Sequence, residues 1–329
     1  MKAAYYRRQG KADDVLEVGE IEEVLPNEGE VQLSIHFSGV NLGEVKKRSD
    51  AFGVGMPYEI IIPHSDGAGY VSKVGVDVDQ NWIGKKVLCF GAQSYRQFGT
   101  AAEYCCIPVE NVVELGENVS LEQAAQMGIP GITAHRSVHV GGDKVRIDRT
   151  DQVVLVQGGS GAVGQCAVAL AKKAGASVIA TVRKSGEVET AVSAGADKVF
   201  LADEELKGNV LAEYPDGIDH IIEVAFAANI ETDAAILKQE GSIATYATDK
   251  NPATIPFWPL VFSNISIFFL GSDDFGRESK QAAAKDLLDA LRTGWKGLDI
   301  GAVYELDAIS KAHEHIEDRK KGRALVRVK

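Results

Sequence analysis

Hydrophobic and polar positions follow two different rhythms along the chain. In the first third, short runs alternate with period two. Val31-Gln32-Leu33-Ser34-Ile35-His36-Phe37 places an apolar residue at every other position. Lys86-Val87-Leu88-Cys89-Phe90 and Glu103-Tyr104-Cys105-Cys106-Ile107 are short runs with glycine or proline close by. Alternation of this kind gives a strand two different faces. The frequent glycine and proline between these runs fit an all-β barrel. The texture changes near Leu121. Leu121-Glu122-Gln123-Ala124-Ala125-Gln126-Met127 has helical spacing, with Ser120 placed as its N-cap.

From Asp151 the rhythm becomes strand, helix, strand. Val153 to Val156 is an apolar run, and helical spacing follows from Val163 to Ala174. Strand-like runs recur at Ser177 to Val182, Asp197 to Leu201, Gly217 to Glu223, Gly241 to Tyr246 and Ile265 to Leu270. This alternation predicts a parallel sheet covered on both faces. A long amphipathic helix is expected over Arg277 to Arg292. A last strand, Ala324 to Val328, is expected to return to the first domain. The 329 residues divide into a β-rich domain, 1–122 with 272–329, and a dinucleotide-binding domain, 123–271.

The most informative chemistry sits between the first strand and helix of that second pattern. Gly158-Gly159-Ser160-Gly161-Ala162-Val163-Gly164 is a glycine fingerprint in the right context, after a strand and opening a helix. The helix start offers unpaired N–H groups to an anion, and glycine lets the backbone approach a pyrophosphate. Gly158, Ser160, Gly161, Ala162, Val163 and Gly164 are therefore expected to bind cofactor. An NAD-type site places an acid about 20 residues past the motif, on the ribose hydroxyls. Arg183-Lys184-Ser185 stands there instead. A guanidinium grips a 2′-phosphate that a carboxylate would repel. The expected cofactor is NADPH.

Charge narrows the partners. Lys and Arg total 35 against 47 Asp and Glu, a formal net charge of −12. That balance disfavours nucleic acid and anionic membrane as partners. No apolar stretch approaches the ~18 residues of a membrane span. The N-terminal residues lack the apolar core of a secretion signal. Four cysteines in this length do not make a disulfide framework. A cytoplasmic, reduced setting is expected.

Several short motifs, in order and spacing, resemble the medium-chain dehydrogenase/reductase superfamily. They are Ser38-Gly39-Val40-Asn41, Asp66-Gly67-Ala68-Gly69, residues 124–134, the glycine fingerprint, and Gly217-Ile218-Asp219 with Ile222-Glu223. Within it the chain is similar to the zinc-free quinone oxidoreductases, the ζ-crystallin group. The resemblance spans nearly the whole chain. It implies an α/β fold, with a Rossmann doubly wound parallel sheet and a β-rich, GroES-like, partly open barrel domain. It implies an NADPH-dependent reductase of quinones or α,β-unsaturated carbonyls, a small electrophilic substrate, and a homodimer. Zinc-dependent relatives carry a Cys near residues 38–41, a His in a Gly-His-Glu motif, and a second Cys after the domain-crossing helix. Here those places hold no Cys, Ser65 and Ile129. No metal is expected. His313 and His315, two apart in a charged helical segment, are expected to be solvated.

The resemblance nominates Asn41 near the nicotinamide and substrate; the alternative is an Asn capping a turn. It nominates Thr133 beside the cofactor, against a helix-interior Thr bonded to its own backbone. It puts Tyr246, Phe269 and Leu270 along the cofactor cleft. Relatives often carry tyrosines after the matched Asn, where Lys46 and Phe52 stand here. Lys46, Tyr58 or His64 is then expected to supply the missing donor, with a structural role favoured for His64. Ile265 to Leu270 is an apolar edge suited to pairing across a two-fold axis. An enoyl-thioester reductase and a non-catalytic NADPH-binding protein are the competing readings.

Overall fold

The period-two runs of the first third pair with one another, and the strand–helix rhythm of the middle builds a separate sheet. The computed structural model describes residues 1–141 and 145–329. The chain divides into two units, Met1–Pro130 with Leu298–Lys329, and Gly131–Gly297. The first unit begins β1 (Lys2–Tyr5), α1 (Ala12–Val15), β2 (Glu17–Glu20), β3 (Glu30–Gly39), α2 (Leu42–Arg48), β4 (Asp66–Val74), β5 (Lys86–Cys89), β6 (Tyr104–Pro108), β7 (Val112–Glu114) and α3 (Leu121–Ala124). The division falls inside α4 (Gly128–Val138). The second unit continues β8 (Val153–Val156), α5 (Ala162–Lys173), β9 (Ser177–Val182), α6 (Val188–Ser193), β10 (Lys198–Leu201), α7 (Leu206–Glu213), β11 (Ile218–Glu223), α8 (Phe226–Ile236), β12 (Leu237–Thr245), α9 (Phe257–Phe262), β13 (Ser266–Phe269) and α10 (Arg277–Arg292). The chain then returns to the first unit through β14 (Ile300–Glu305), α11 (Ile309–Glu317) and β15 (Arg323–Arg327).

In the first unit the strand order is β14-β15-β3-β4-β5-β7, with β6 also on β3. The long β3 is the spine. It pairs antiparallel with β4, β6 and β15, the last matching Leu325 to Gly39. The inward set Val31, Leu33 and Ile35 packs with Val71, Val87 and Ile107 in one core. Burial of that face fixes the register, because a one-residue slip would turn it outward. The expected return of the C-terminal segment is found, and Ser120 caps α3 by accepting from the Gln123 N–H at 3.1 Å.

In the second unit the order is β10-β9-β8-β11-β12-β13, and every pairing is parallel. Successive crossovers run outward from β8 in one direction and from β11 in the other. The carboxyl ends of those two adjacent strands therefore mark the switch point at which such sheets bind ligands. β8 ends at Val156, directly before the glycine turn, and β11 ends at Glu223.

The expected division between domains differs from the one found. Residues 272–297 go with the second unit and residues 123–130 with the first. The cause is packing. α10 buries Ala283, Leu287 and Leu288 and packs on α5, while α3 packs on β4 and β5. No helix of the described residues is long and apolar enough to cross a membrane.

Candidate functional site: two buried polar networks and a glycine turn

The glycine turn has the geometry its sequence requires. Gly158 adopts φ +70, the left-handed region where a side chain is strained. A Cβ on Gly164 would overlap the Gly158 carbonyl, so only glycine allows α5 to start this close to the turn. Gly159 N–H donates to Thr181 O at 2.8 Å, and Gly161 N–H to Gly158 O at 3.0 Å. Gly161 is the N-cap of α5 and offers no side-chain cap. The first N–H groups of the helix are thus left for an anion. Gly158, Ser160, Gly161, Ala162, Val163 and Gly164 are gathered in this one turn.

Arg183 and Lys184 follow the end of β9 and are exposed. Sequence reading missed their neighbour Glu187. Its Oε2 accepts from Arg183 N at 3.2 Å and from Ser160 Oγ at 3.4 Å. An acid five residues past the strand end was the available signal. On the same unit a cavity of about 400 Å³ is lined by Tyr246, Phe269 and Leu270, together with Phe226, Thr248 and Lys250. Thr133 is buried in α4, its carbonyl accepting from Ser137 Oγ at 2.8 Å.

The first unit buries a carboxylate pair around Asn41. Asn41 precedes α2, and its N–H donates to Glu44 Oε2 at 2.7 Å, which is the capping arrangement. Its Nδ2 donates to Asp66 Oδ2 at 2.8 Å and to Glu44 Oε1 at 3.2 Å, and its Oδ1 accepts from Arg323 Nη2 at 2.7 Å. Ser65 N–H donates to Glu44, and Ile129 N–H to Asp66. Burial, then the Glu44 charge, pushes Asp66 up to about 8 against the Asn41 and Ile129 bonds and the Arg323 charge. Burial also raises Glu44. One guanidinium beside two buried carboxyls favours keeping one of them protonated. Asn41 is therefore the hub of an internal network with its amide committed inward. Lys46 and Tyr58 lie apart from it. Lys46 Nζ is 5.8 Å from the Phe52 ring centroid, and Tyr58 Oη donates to Tyr95 O at 2.9 Å.

A second arm reaches the same region. Arg48 Nε donates to His313 Nδ1 at 3.3 Å, and the Nε2 atoms of His313 and His64 are 3.0 Å apart. His64 Nδ1 is 2.7 Å from Ser38 Oγ, which is 2.7 Å from Thr100 Oγ1, which donates to Asp66 O at 2.6 Å. Arg48 cannot accept, so every tautomer follows: each group donates to the next, from Arg48 to Asp66. Both imidazoles are neutral. Burial, then Arg323, takes His64 down to about 3; burial, then His64 and Arg48, lowers His313. His64 holds a left-handed φ of 77, a strained position for a residue with a Cβ. The expectation of solvated His313 and His315 is overturned, since they are 0% and 3% exposed. α11 packs on β15, β14, α1 and α2, which bury that face. His64 is 0% exposed, so it offers no donor at a surface.

The positions matched to zinc ligands do not suit the ion. Asn41 is fully hydrogen bonded, Ser65 offers an alcohol, and Ile129 offers no donor atom. His135, His139 and Asp286 bring ligand-type atoms within 4.8 Å of one another. Three of their polar atoms already have partners. Asp286 Oδ2 accepts from Arg146 Nε at 2.6 Å and faces His135 Nε2 at 3.2 Å, and His139 Nδ1 accepts from Ile147 N–H at 2.9 Å. Although burial opposes it, bonds from His135 and Arg146 hold Asp286 down at about 2. This group is a charge cluster neutralised by Arg146.

Comparison with known proteins agrees with both units. The family described as "Alcohol dehydrogenase GroES-like domain" matches residues 27–117, and "Zinc-binding dehydrogenase" matches residues 162–289. Quinone oxidoreductase of Mus musculus is 29% identical over 301 residues, covering 89% of this chain and 86% of the relative. A mycobacterial quinone oxidoreductase structure superposes with TM-score 0.86 at 24% identity, covering 99% of each chain. Escherichia coli quinone oxidoreductase complexed with NADPH gives TM-score 0.84 at 22% identity, covering 99% of this chain and 100% of that one. Both units thus match domains of dehydrogenases of the kind the sequence motifs resemble, and the relatives reported above, to which the chain is similar, are quinone oxidoreductases.

Proposed function

We propose that the chain is an NADPH-dependent reductase that delivers hydride to a quinone or an α,β-unsaturated carbonyl without a metal ion. The carrying observation is the uncapped start of α5 at the glycine turn, with exposed Arg183 and Lys184 after β9. The turn amides take the pyrophosphate, and the two cations take the 2′-phosphate. Glu187, already accepting two hydrogen bonds, braces the turn and Arg183. Tyr246, Phe269 and Leu270 line the cavity that takes the nicotinamide end. The bound dinucleotide supplies a hydride equivalent. An acceptor that is already electron-poor needs no Lewis acid, only a hydrogen-bond donor as charge reaches its oxygen. Lys46 is the donor assigned to this role; Tyr58 joins it only by giving up its bond to Tyr95 O.

Titration of coenzyme fluorescence, followed by turnover with a panel of quinones and enones, tests the reading. Arg183→Ala weakens NADPH binding ~10-fold or more and leaves NADH binding unchanged. Equal affinity of the wild-type chain for both coenzymes would overturn the NADPH assignment. Binding without turnover of any acceptor would favour the non-catalytic reading.

We infer a homodimer built on the β13 edge. β13 ends the parallel sheet, and Trp258, Phe262 and Phe269 beside it are 62%, 72% and 72% exposed. Apolar side chains at an open strand edge favour pairing with a second copy. Sedimentation of wild type and Phe262→Glu reads it: a wild-type monomer at micromolar concentration would remove the dimer.

A further inference from the structure

Beneath the glycine turn the second unit buries two carboxyl groups that have no cation to answer them. We propose that Asp233 is a positioning residue for the dinucleotide-binding turn: it carries a proton shared toward Glu223 and anchors the bonds that fix the Gly158 amide.

The connections are continuous. Gly158 N–H donates to Thr181 Oγ1 at 3.1 Å. Thr181 Oγ1 donates to Gln157 Oε1 at 2.6 Å, and Gln157 Nε2 donates to Asp233 Oδ1 at 2.8 Å. Asp233 Oδ2 is buried and receives no donor, and Glu223 is the charged neighbour of Asp233. Glu223 in turn accepts from Ala225 N–H, and from Asn229 Nδ2 at 3.1 Å to each oxygen. Each donor in this run has one acceptor, so the direction is fixed from Gly158 to Asp233. Thr181 also accepts from Gly159 N–H through its carbonyl. One residue thus holds two successive amides of the turn.

The proton is required by the surroundings. Asp233 and Glu223 are both 0% exposed. Among the described residues, neither pairs with a Lys or Arg, and Tyr246 is a titratable neighbour of Glu223. Two ionised carboxylates cannot share such a place. Burial, then the Glu223 charge, raises Asp233 well above the carboxylate range. Burial raises Glu223 as well, but the Asp233, Ala225 and Asn229 bonds work against it. The proton therefore sits on Asp233. Its loss at high pH would set two charges against each other and release the far end of the run.

This inference rests on the reading of the turn as a dinucleotide site. The test is titration of the purified full-length chain with NADPH, from neutral to alkaline pH, with circular dichroism confirming folding. Asp233→Asn keeps an acceptor for Gln157 and a donor for Glu223. It is expected to bind within ~3-fold of wild type, and to lose the alkaline weakening that wild type shows. Asp233→Leu is expected to weaken binding ~10-fold. Thr181→Val removes only the hydroxyl link and is expected to weaken binding ~5-fold; it decides the matter should Asp233→Leu fail to fold. Unchanged affinity in a folded Asp233→Leu or in Thr181→Val overturns the inference, as does equal alkaline weakening in wild type and Asp233→Asn. Wild type that binds neither NADPH nor NADH overturns the dinucleotide reading and this inference together.

Discussion

The two units bury the same unfavourable object, a pair of carboxyl groups, and stabilise it in opposite ways. In the first unit Glu44 and Asp66 meet a guanidinium, Arg323, through the Asn41 amide. In the second unit Asp233 and Glu223 meet only each other and neutral donors. The first pair combines a proton on Asp66 with a fixed positive charge, and the second depends on a proton alone. Their weak points therefore differ. Losing the cation should damage only the first, and losing the proton should damage both.

The largest expected effect follows from removing the cation. Arg323→Met leaves a buried carboxylate without its counter-charge, and a stranded buried charge costs about 3–5 kcal/mol. Urea unfolding at neutral pH measures it. A loss under about 1 kcal/mol would mean that the first pair, too, is held by protons rather than by Arg323.

Next in size is the pH dependence of the first unit. Asp66, raised to about 8 in the fold, binds a proton that the unfolded chain releases near its ordinary value. Its stabilisation is complete below about pH 4 and is lost as pH rises through about 8, with a limiting slope of about 1.4 kcal/mol per pH unit. His64 has the opposite sign. Lowered to about 3, it stays neutral in the fold, so stability is lost as pH falls from about 6.5 toward 3. Unfolding followed between pH 5 and 9 should show a decline that ends near pH 8 and levels off above it, and that Asp66→Asn removes. An unchanged decline in Asp66→Asn would assign it to another group.

A smaller effect tests the strained member of the second arm. His64→Gly relieves the left-handed backbone at φ 77, a gain of about 1 kcal/mol. It also deletes the bonds to Ser38 and His313 and leaves a buried hole. The balance is a net loss of about 2 kcal/mol by thermal or urea unfolding. A more stable variant would show that strain outweighs this arm of the network.

The same contrast explains what the sequence made legible. The glycine turn, its flanking strand and helix, and the Ser120 cap are local features, written within a few residues of one another. The identity of the parallel sheet followed from their repetition. The buried networks are long-range. The family resemblance puts Asn41 at the substrate, yet Asp66 and Arg323, far away in the chain, turn its amide inward. The spacing of His313 from His315 says nothing of their burial. The informative spacing is that of His313 with the apolar residues of its helix. It falls on the stripe of Ile309, Ala312 and Ile316, which faces the core. Asp233 carried the same sign, since it lies on the buried face of α8 with Phe226, Ile230 and Ile236. A charged residue on an apolar stripe marks a partner from elsewhere in the fold. The sequence alone does not name that partner.

The smallest expected effect sharpens the comparison most. Glu223→Gln removes the charge that raises Asp233 while keeping a side chain of the same length. The Gln carbonyl can still accept from Asn229 or from protonated Asp233, so few buried groups lose a partner. The expected change in stability at neutral pH is under about 1 kcal/mol, because an ionic partner is replaced by an isosteric neutral one where no cation loses its counter-charge. The corresponding change in the first unit, Glu44→Gln, affects the Arg323 charge as well as the carboxyl pair and is expected to cost more. Urea unfolding of the two variants side by side measures the difference. If Glu223→Gln proves as damaging as Glu44→Gln, a positive charge must answer the second pair, and the proton assigned to Asp233 would not be needed to hold it.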